Sequence, residues 1–393
     1  MFSKKIIDNL SRSSWIRAMF EEGEKLRKIY GADKVFDFSL GNPDIEPPMA
    51  LKEALKKAVL EDTPKMHGYM SNAGYINVRG SIAQRLKKET GAPLTHEHVV
   101  MACGAGGAMN VVLKALLNPD EEVIVFSPFF PEYLFYIDNH GGKSVIVNTD
   151  PATFQPDPDK LYEAITPKTK AVIINSPNNP TGAVYSKNIL KEMAAKLEAR
   201  EKEFGTKIFV ISDEPYGRIV YDNTDVPPVF SIFANSIMVD SFSKSLSLPG
   251  ERIGYIAVNP AIENVSLLVD VIIFATRTLG FVNAPALFQR ILPESLNATV
   301  EVDEYKKRRD VFYNGLTNLG YKCIKPKGAF YLLPESLIAD DVEFCKRAIK
   351  YNLVIVPGKG FGCPGHFRVA YCVDVRIIEN SMPAFEALAK EFR

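Results

Sequence analysis

Lys244 sits in Ser241-Phe242-Ser243-Lys244, directly after the apolar run Ser236-Ile237-Met238-Val239-Asp240. The run predicts a buried strand. The lysine therefore falls on a hydroxyl-rich turn at a strand's C-terminal end, where open α/β sheets hold ligands. A lysine whose ammonium is partly desolvated there can lose its proton and act as nucleophile or base. Arg252, eight residues on, offers a planar fork suited to a phosphate. Other polar groups fall at the ends of other predicted strands. The stretch Asn175-Ser176-Pro177-Asn178-Asn179-Pro180-Thr181-Gly182 follows Ala171–Ile174, and Asp213-Glu214-Pro215-Tyr216 follows Phe209–Ile211. Pro128-Phe129-Phe130 follows the strand Glu122–Phe126. Cys103-Gly104-Ala105-Gly106-Gly107 lies between the strand Val99–Met101 and a helix Met109–Leu117, so its backbone N–H groups can face an anion.

One sheet edge then gathers a lysine, an aspartate, a tyrosine, an asparagine, an aromatic pair and phosphate donors. That set suits a flat, phosphate-bearing, nitrogen-heteroaromatic aldehyde. The lysine forms a Schiff base, the aspartate holds a pyridinium proton, and the aromatic stacks on the ring. The glycine turn, the serines and the arginine take the phosphate. Pyridoxal 5'-phosphate meets each demand. Taken singly, each motif has an ordinary reading: Asp213 and Asn178–Gly182 as turn residues, Phe129 and Phe130 as core. Their joint order along one sheet edge is what carries the chemistry.

The elements that must position these groups alternate in type. Strands are expected at Phe36–Leu40, Ser144–Asn148 and Lys207–Ser212, besides those above. Helices are expected at Trp15–Tyr30, capped by Ser13 or Ser14, and at Met49–Leu60, Asp159–Ile165 and Ser186–Phe204. Strand–helix alternation with fully apolar strands such as Ile208–Ile211 predicts a mostly parallel, doubly wound sheet. After Val258 the rhythm changes. Helices Ala261–Phe274, Pro285–Leu296 and Val300–Asn318 precede short strands Tyr321–Ile324, Phe330–Leu333, Leu353–Val356 and Phe367–Ala370, with helices Val342–Tyr351 and Pro383–Phe392. The fold class is α/β, with a large domain at 47–284 and a smaller α+β domain built from 1–46 and 285–393.

The chain has 393 residues, 46% hydrophobic and 24% charged, with Lys+Arg equal to Asp+Glu at 47 each. That balance points to no nucleic acid and no membrane as partner. The five cysteines are scattered with no Cys-x-x-Cys pair, and the five histidines lack metal-ligand spacing, so no metal is expected. The N-terminus lacks the apolar core of a signal peptide and no run is long enough to span a bilayer, so a cytoplasmic protein is the expectation.

Beyond these readings, the chain resembles the class I/II aminotransferases of pyridoxal-phosphate fold type I, the aspartate aminotransferase superfamily, over nearly its whole length. The resemblance rests on Asn179-Pro180-Thr181-Gly182, Asp213 with Tyr216, Ser241-x-Ser243-Lys244 with Arg252, and Phe367-Arg368-Val369-Ala370, in the family's order and spacing. It implies that Lys244 is the catalytic lysine, bound to the cofactor as a Schiff base. It implies cofactor contacts from Ala105, Gly106, Phe130, Asn179, Asp213, Tyr216, Ser241 and Arg252, and a substrate α-carboxylate held by Arg368, Asn179 and the Gly41 backbone. Tyr69, five residues before Gly74, matches a tyrosine that relatives donate across a homodimer interface to the phosphate. The implied reaction moves the amino group of an L-amino acid, aspartate or another common one, to a 2-oxoacid such as 2-oxoglutarate. The alternatives are a carbon–sulfur lyase or related β/γ-eliminating enzyme, and an inactive regulatory or structural relative. Gly106 stands where one aspartate aminotransferase subgroup has a lysine for the distal carboxylate, which leaves Arg17 and Arg277 as replacements, or Trp15 and Ile16 as an apolar pocket wall.

Overall fold

A computed structural model of the chain describes residues 2–11 and 15–392. Ser13 and Ser14, and the side chains of Trp15, Ile16 and Arg17, lie outside the described residues.

Twelve strands form in chain order among the described residues. They are β1 (Phe36–Asp37), β2 (Val99–Ala102), β3 (Glu122–Ser127), β4 (Lys143–Asn148), β5 (Thr169–Asn175), β6 (Phe209–Asp213), β7 (Ser236–Ser241), β8 (Gly254–Val258), β9 (Tyr331–Leu332), β10 (Leu353–Val354), β11 (Val356–Pro357) and β12 (Phe367–Ala370). Seven of them make the central sheet, in the order β2-β8-β7-β6-β5-β3-β4. All its pairs are parallel except the two made by β8, which runs against β7 and β2. The apolar run Ile237–Val239 in β7 is buried on both faces, as a covered sheet requires. One face packs on the helices Gly104–Leu116 and Val265–Thr278, through Val111, Val112 and Ile272. Other strand side chains pack on the helix Lys187–Phe204, through Leu190 and Met193.

The remaining strands pair separately. β11, β12 and β9 form an antiparallel sheet, and β1 lies parallel to β10. They share a core in which Phe38, Phe312, Phe330, Phe367 and Phe385 are fully buried. β12 itself carries Arg368.

Several expectations change. The helix after β2 starts at Gly104, not at Met109, so the glycine turn is its first turn. No strand forms at Tyr321–Ile324, where Tyr321 N–H donates to the Leu316 carbonyl and Glu335 N–H to the Lys322 carbonyl instead of forming a ladder. The C-terminal helix runs Val375–Lys390 straight through Pro383, because Ile378, Phe385 and Leu388 bury one face along its length. A helix at Glu132–Asn139, which periodicity does not announce, follows Phe130-Pro131. No helix among the described residues is long and apolar enough to cross a membrane.

Candidate active site

The parallel strands β2, β3, β5, β6 and β7 all end at one edge, and their last residues bring the predicted groups together. A cavity of about 350 Å³ opens there, and every residue predicted to bind the cofactor or the α-carboxylate, except Tyr69, lines it. Tyr69 is 93% exposed on this chain's surface. Arg277 is also exposed, laid on the Phe274 ring at 5.2 Å, and does not line the cavity.

Lys244 lies on a one-turn helix, Phe242–Ser245, immediately after β7. Its Nζ donates to the Gly41 carbonyl at 2.7 Å and sits 5.5 Å from the Phe330 ring centroid. Desolvation lowers its pKa from 10.5 to about 8. A usable fraction of neutral amine is therefore present near neutrality, as a nucleophile or base requires.

Asp213 ends β6 with its carboxylate buried. Tyr133 Oη donates to Oδ2, while Oδ1 is buried without any partner. Burial raises its pKa from 3.8 to about 7. An unpaired buried acceptor is costly, and a protonated ring nitrogen would supply the missing donor and restore the charge. Asn175 Nδ2 donates to the Asp213 carbonyl at 2.8 Å and its Oδ1 accepts from the Asn179 N–H at 2.8 Å, which ties the two loops together.

Arg368 is 1% exposed in β12. Its Nη1 donates to Asn179 Oδ1 at 3.1 Å and Nη2 to the Ser39 carbonyl, while Nε is buried and unpartnered. The rings of Tyr331 and Phe361 lie 4.7 Å from its guanidinium carbon. Those contacts fix the fork and leave Nε–H for a ligand carboxylate. Tyr216 Oη and Tyr331 Oη share a hydrogen bond of 2.8 Å at the same wall.

The phosphate end is built differently. Gly104 opens its helix at φ +71°, and a Cβ there would meet Arg252 Nη2 at 2.7 Å. Glycine thus admits both the left-handed turn and the guanidinium beside it. Ala105 and Gly106 follow in the first helical turn, where N–H groups lack intrahelical partners. Ser241 closes the same side.

Several cavity residues escape sequence reading: Tyr133, Tyr136, Glu132 and Tyr331. The first three ride on the helix Glu132–Asn139. Tyr133, three residues past Phe130, was the available signal. Tyr331 comes from β9, and only pairing of β9 with β12 brings it beside Arg368.

The orphaned Asp213 oxygen, the glycine cradle beside Arg252 and the desolvated Lys244 fit pyridoxal phosphate on this chain's own residues. Comparison with known proteins agrees. The family described as aminotransferase class I and II matches residues 33–382. A crystal structure of an aminotransferase from Eubacterium rectale is 41% identical, covers 100% of each chain and superposes with a TM-score of 0.96. The aspartate/prephenate aminotransferase of Thermus thermophilus is 34% identical over 89% of both chains. An aromatic-amino-acid aminotransferase of Thermococcus litoralis is 31% identical, covering 93% of this chain and 96% of its own.

Proposed function

The chain belongs to the class I and II aminotransferase family, and from that premise we propose how its residues divide the work of a pyridoxal-phosphate-dependent transaminase. The observation that carries the reading is the convergence of Lys244 Nζ, the unpaired Asp213 oxygen and the unpaired Arg368 Nε on one cavity. Bound pyridoxal phosphate supplies an electron sink for negative charge at the substrate Cα.

This chain's residues do the rest. Arg252, Ser241 and the N–H groups of Ala105 and Gly106 hold the phosphate. Asp213 keeps the ring nitrogen protonated, and Tyr133 holds the Asp213 carboxylate in place. Phe130, edge-on to Tyr133 with centroids 5.5 Å apart, covers the ring. Asn179 and Tyr216 donate to the ring hydroxyl oxygen. Lys244 takes and returns the proton at Cα, a step its lowered pKa favours. Arg368 binds the α-carboxylate, assisted by Asn179 and the Gly41 backbone, and so positions Cα against Nζ. We propose that the chain acts as two parts, with 1–46 and 285–393 closing over a large part at 47–284. The aromatic core around Phe312 and Phe385, drawn mostly from those segments and joined by Tyr216, Ile219 and Tyr221 of the large part, supports this, while the helix Ala286–Ser295 packs on Met49–Leu60 and would move with the large part.

The relatives' names cover aspartate, prephenate and aromatic amino acids, so family membership leaves the donor open. Aspartate with 2-oxoglutarate is the first pair to assay. In the test, the yellow holoprotein is mixed with one L-amino acid and no oxoacid. Bleaching of the visible band, reversed by a 2-oxoacid, is the expected result. Release of pyruvate or ammonia in place of a reversible change would make the protein a lyase.

A further inference from the structure

The cavity carries a second carboxylate that the reading above does not use. Glu132 opens the helix Glu132–Asn139 and lines the same cavity as Lys244 and Arg368. Its Oε2 is buried and makes no hydrogen bond. Desolvation raises its pKa, against a hydrogen bond from its own backbone N–H and the field of Arg368. Its charge also contributes to pushing the Tyr136 phenol up to about 12, so it lies within electrostatic reach of both. A buried carboxylate oxygen without a donor costs free energy, and a ligand donor that completes it recovers that cost.

The cations in the cavity are counted easily. Among the described lining residues they are Lys244, Arg252 and Arg368. Each has a task in the proposed function: Cα chemistry, phosphate and α-carboxylate. Among the described residues of this chain, none is left for a carboxylate at the far end of a substrate side chain. Such a group would instead share the cavity with Glu132, and like charges in a desolvated site repel strongly.

We propose that Glu132 is the specificity-determining residue for the substrate side chain, favouring amino acids that end in a cationic hydrogen-bond donor and rejecting those that end in a carboxylate. The inference rests on the transaminase reading and narrows its substrate class. The oxoacid acceptor occupies the same cavity, so pyruvate is accepted in preference to 2-oxoglutarate.

The test uses the holoprotein and two probes that lack a proton on Cα, 2-methylornithine and 2-methylaspartate. Both bind without turnover, and the shift of the cofactor's visible band reads their dissociation constants. The wild type is expected to bind 2-methylornithine at least about tenfold more tightly, since a site built to hydrogen-bond one group discriminates strongly against its lack. Glu132→Gln should narrow that ratio from both sides, weakening the cationic probe and strengthening the anionic one. Three results overturn the inference: a wild type that prefers 2-methylaspartate, a Glu132→Gln variant that binds 2-methylaspartate more weakly, and a variant that changes both constants equally. The second would mean that Glu132 orients a cation from another copy of the chain, and the third that it is only structural. A reversible amino-acid half-reaction with no probe preference overturns this inference alone. A protein whose spectrum responds to no amino acid overturns the transaminase reading with it.

Discussion

At the scale of single residues, three ionisable groups are held away from their ordinary states, and burial is the first cause in each. Lys244 is brought down to about 8, while Asp213 and its neighbour Glu214 are pushed up to about 7 and about 8. For Asp213 the direction has a consequence for the cofactor-free protein. Its pKa when folded lies above the unfolded value of 3.8, so the native state holds the proton more tightly. The stabilising contribution is complete below the unfolded value and is lost as pH rises through about 7. Asp213→Asn removes that loss. Without pyridoxal phosphate, the melting temperature of the variant should exceed that of the wild type by a few degrees above neutrality, with the gap closing in acid. Addition of the cofactor should then stabilise the wild type more than the variant. Thermal melts across pH with and without cofactor read both effects, and parallel curves for the two proteins would refute the unpaired-oxygen account of Asp213.

At the scale of elements, the strand ends decide the site, and strand ends were the most legible feature of the sequence. The apolar runs before Asp213 and Lys244 are short, mostly buried strands, so period and composition locate them well. What escaped reading depends on contacts distant in sequence. Pro383 reads as a helix start, yet the face made by Ile378, Phe385 and Leu388 holds the helix through it. The helix Glu132–Asn139 has eight residues and buries only Tyr133 and Ile137, too few for a periodic signal. Its loss from the reading hid Tyr133 and Glu132 together. Lys244, Asp213, Asn179 and Arg368 were legible because each sits in a motif tied to a strand, whereas Tyr331 needed the β9–β12 register. The glycine turn allows a sharp prediction. Gly104→Ala places a methyl group against the Arg252 guanidinium in a left-handed backbone conformation, at a cost of about 1–2 kcal/mol. Pyridoxal phosphate affinity should fall roughly tenfold as Arg252 is displaced. Unchanged affinity by equilibrium dialysis would separate Arg252 from the phosphate.

At the scale of the whole molecule, one chain supplies every proposed cofactor contact but Tyr69. That side chain stands 93% exposed, and the apolar Ile76, Leu267 and Phe274 are exposed as well. We propose that a second copy covers this region and that Tyr69 crosses to the partner's phosphate. Sedimentation should then show a dimer at assay concentrations, and Tyr69→Phe should loosen the cofactor without dissociating the dimer. A fully active monomer would remove the proposal. Arg277 lies exposed outside this chain's cavity, so any contact it makes with substrate also requires a second copy.

On the proposed function, Lys244 is the residue to which pyridoxal phosphate is joined. Borohydride reduction of the holoprotein followed by peptide mass mapping tests it most directly. A single modified peptide carrying the cofactor's mass on Lys244 is expected, with no label when Lys244→Ala is treated in the same way. Label on another lysine, or equal labelling of the variant, would contradict it.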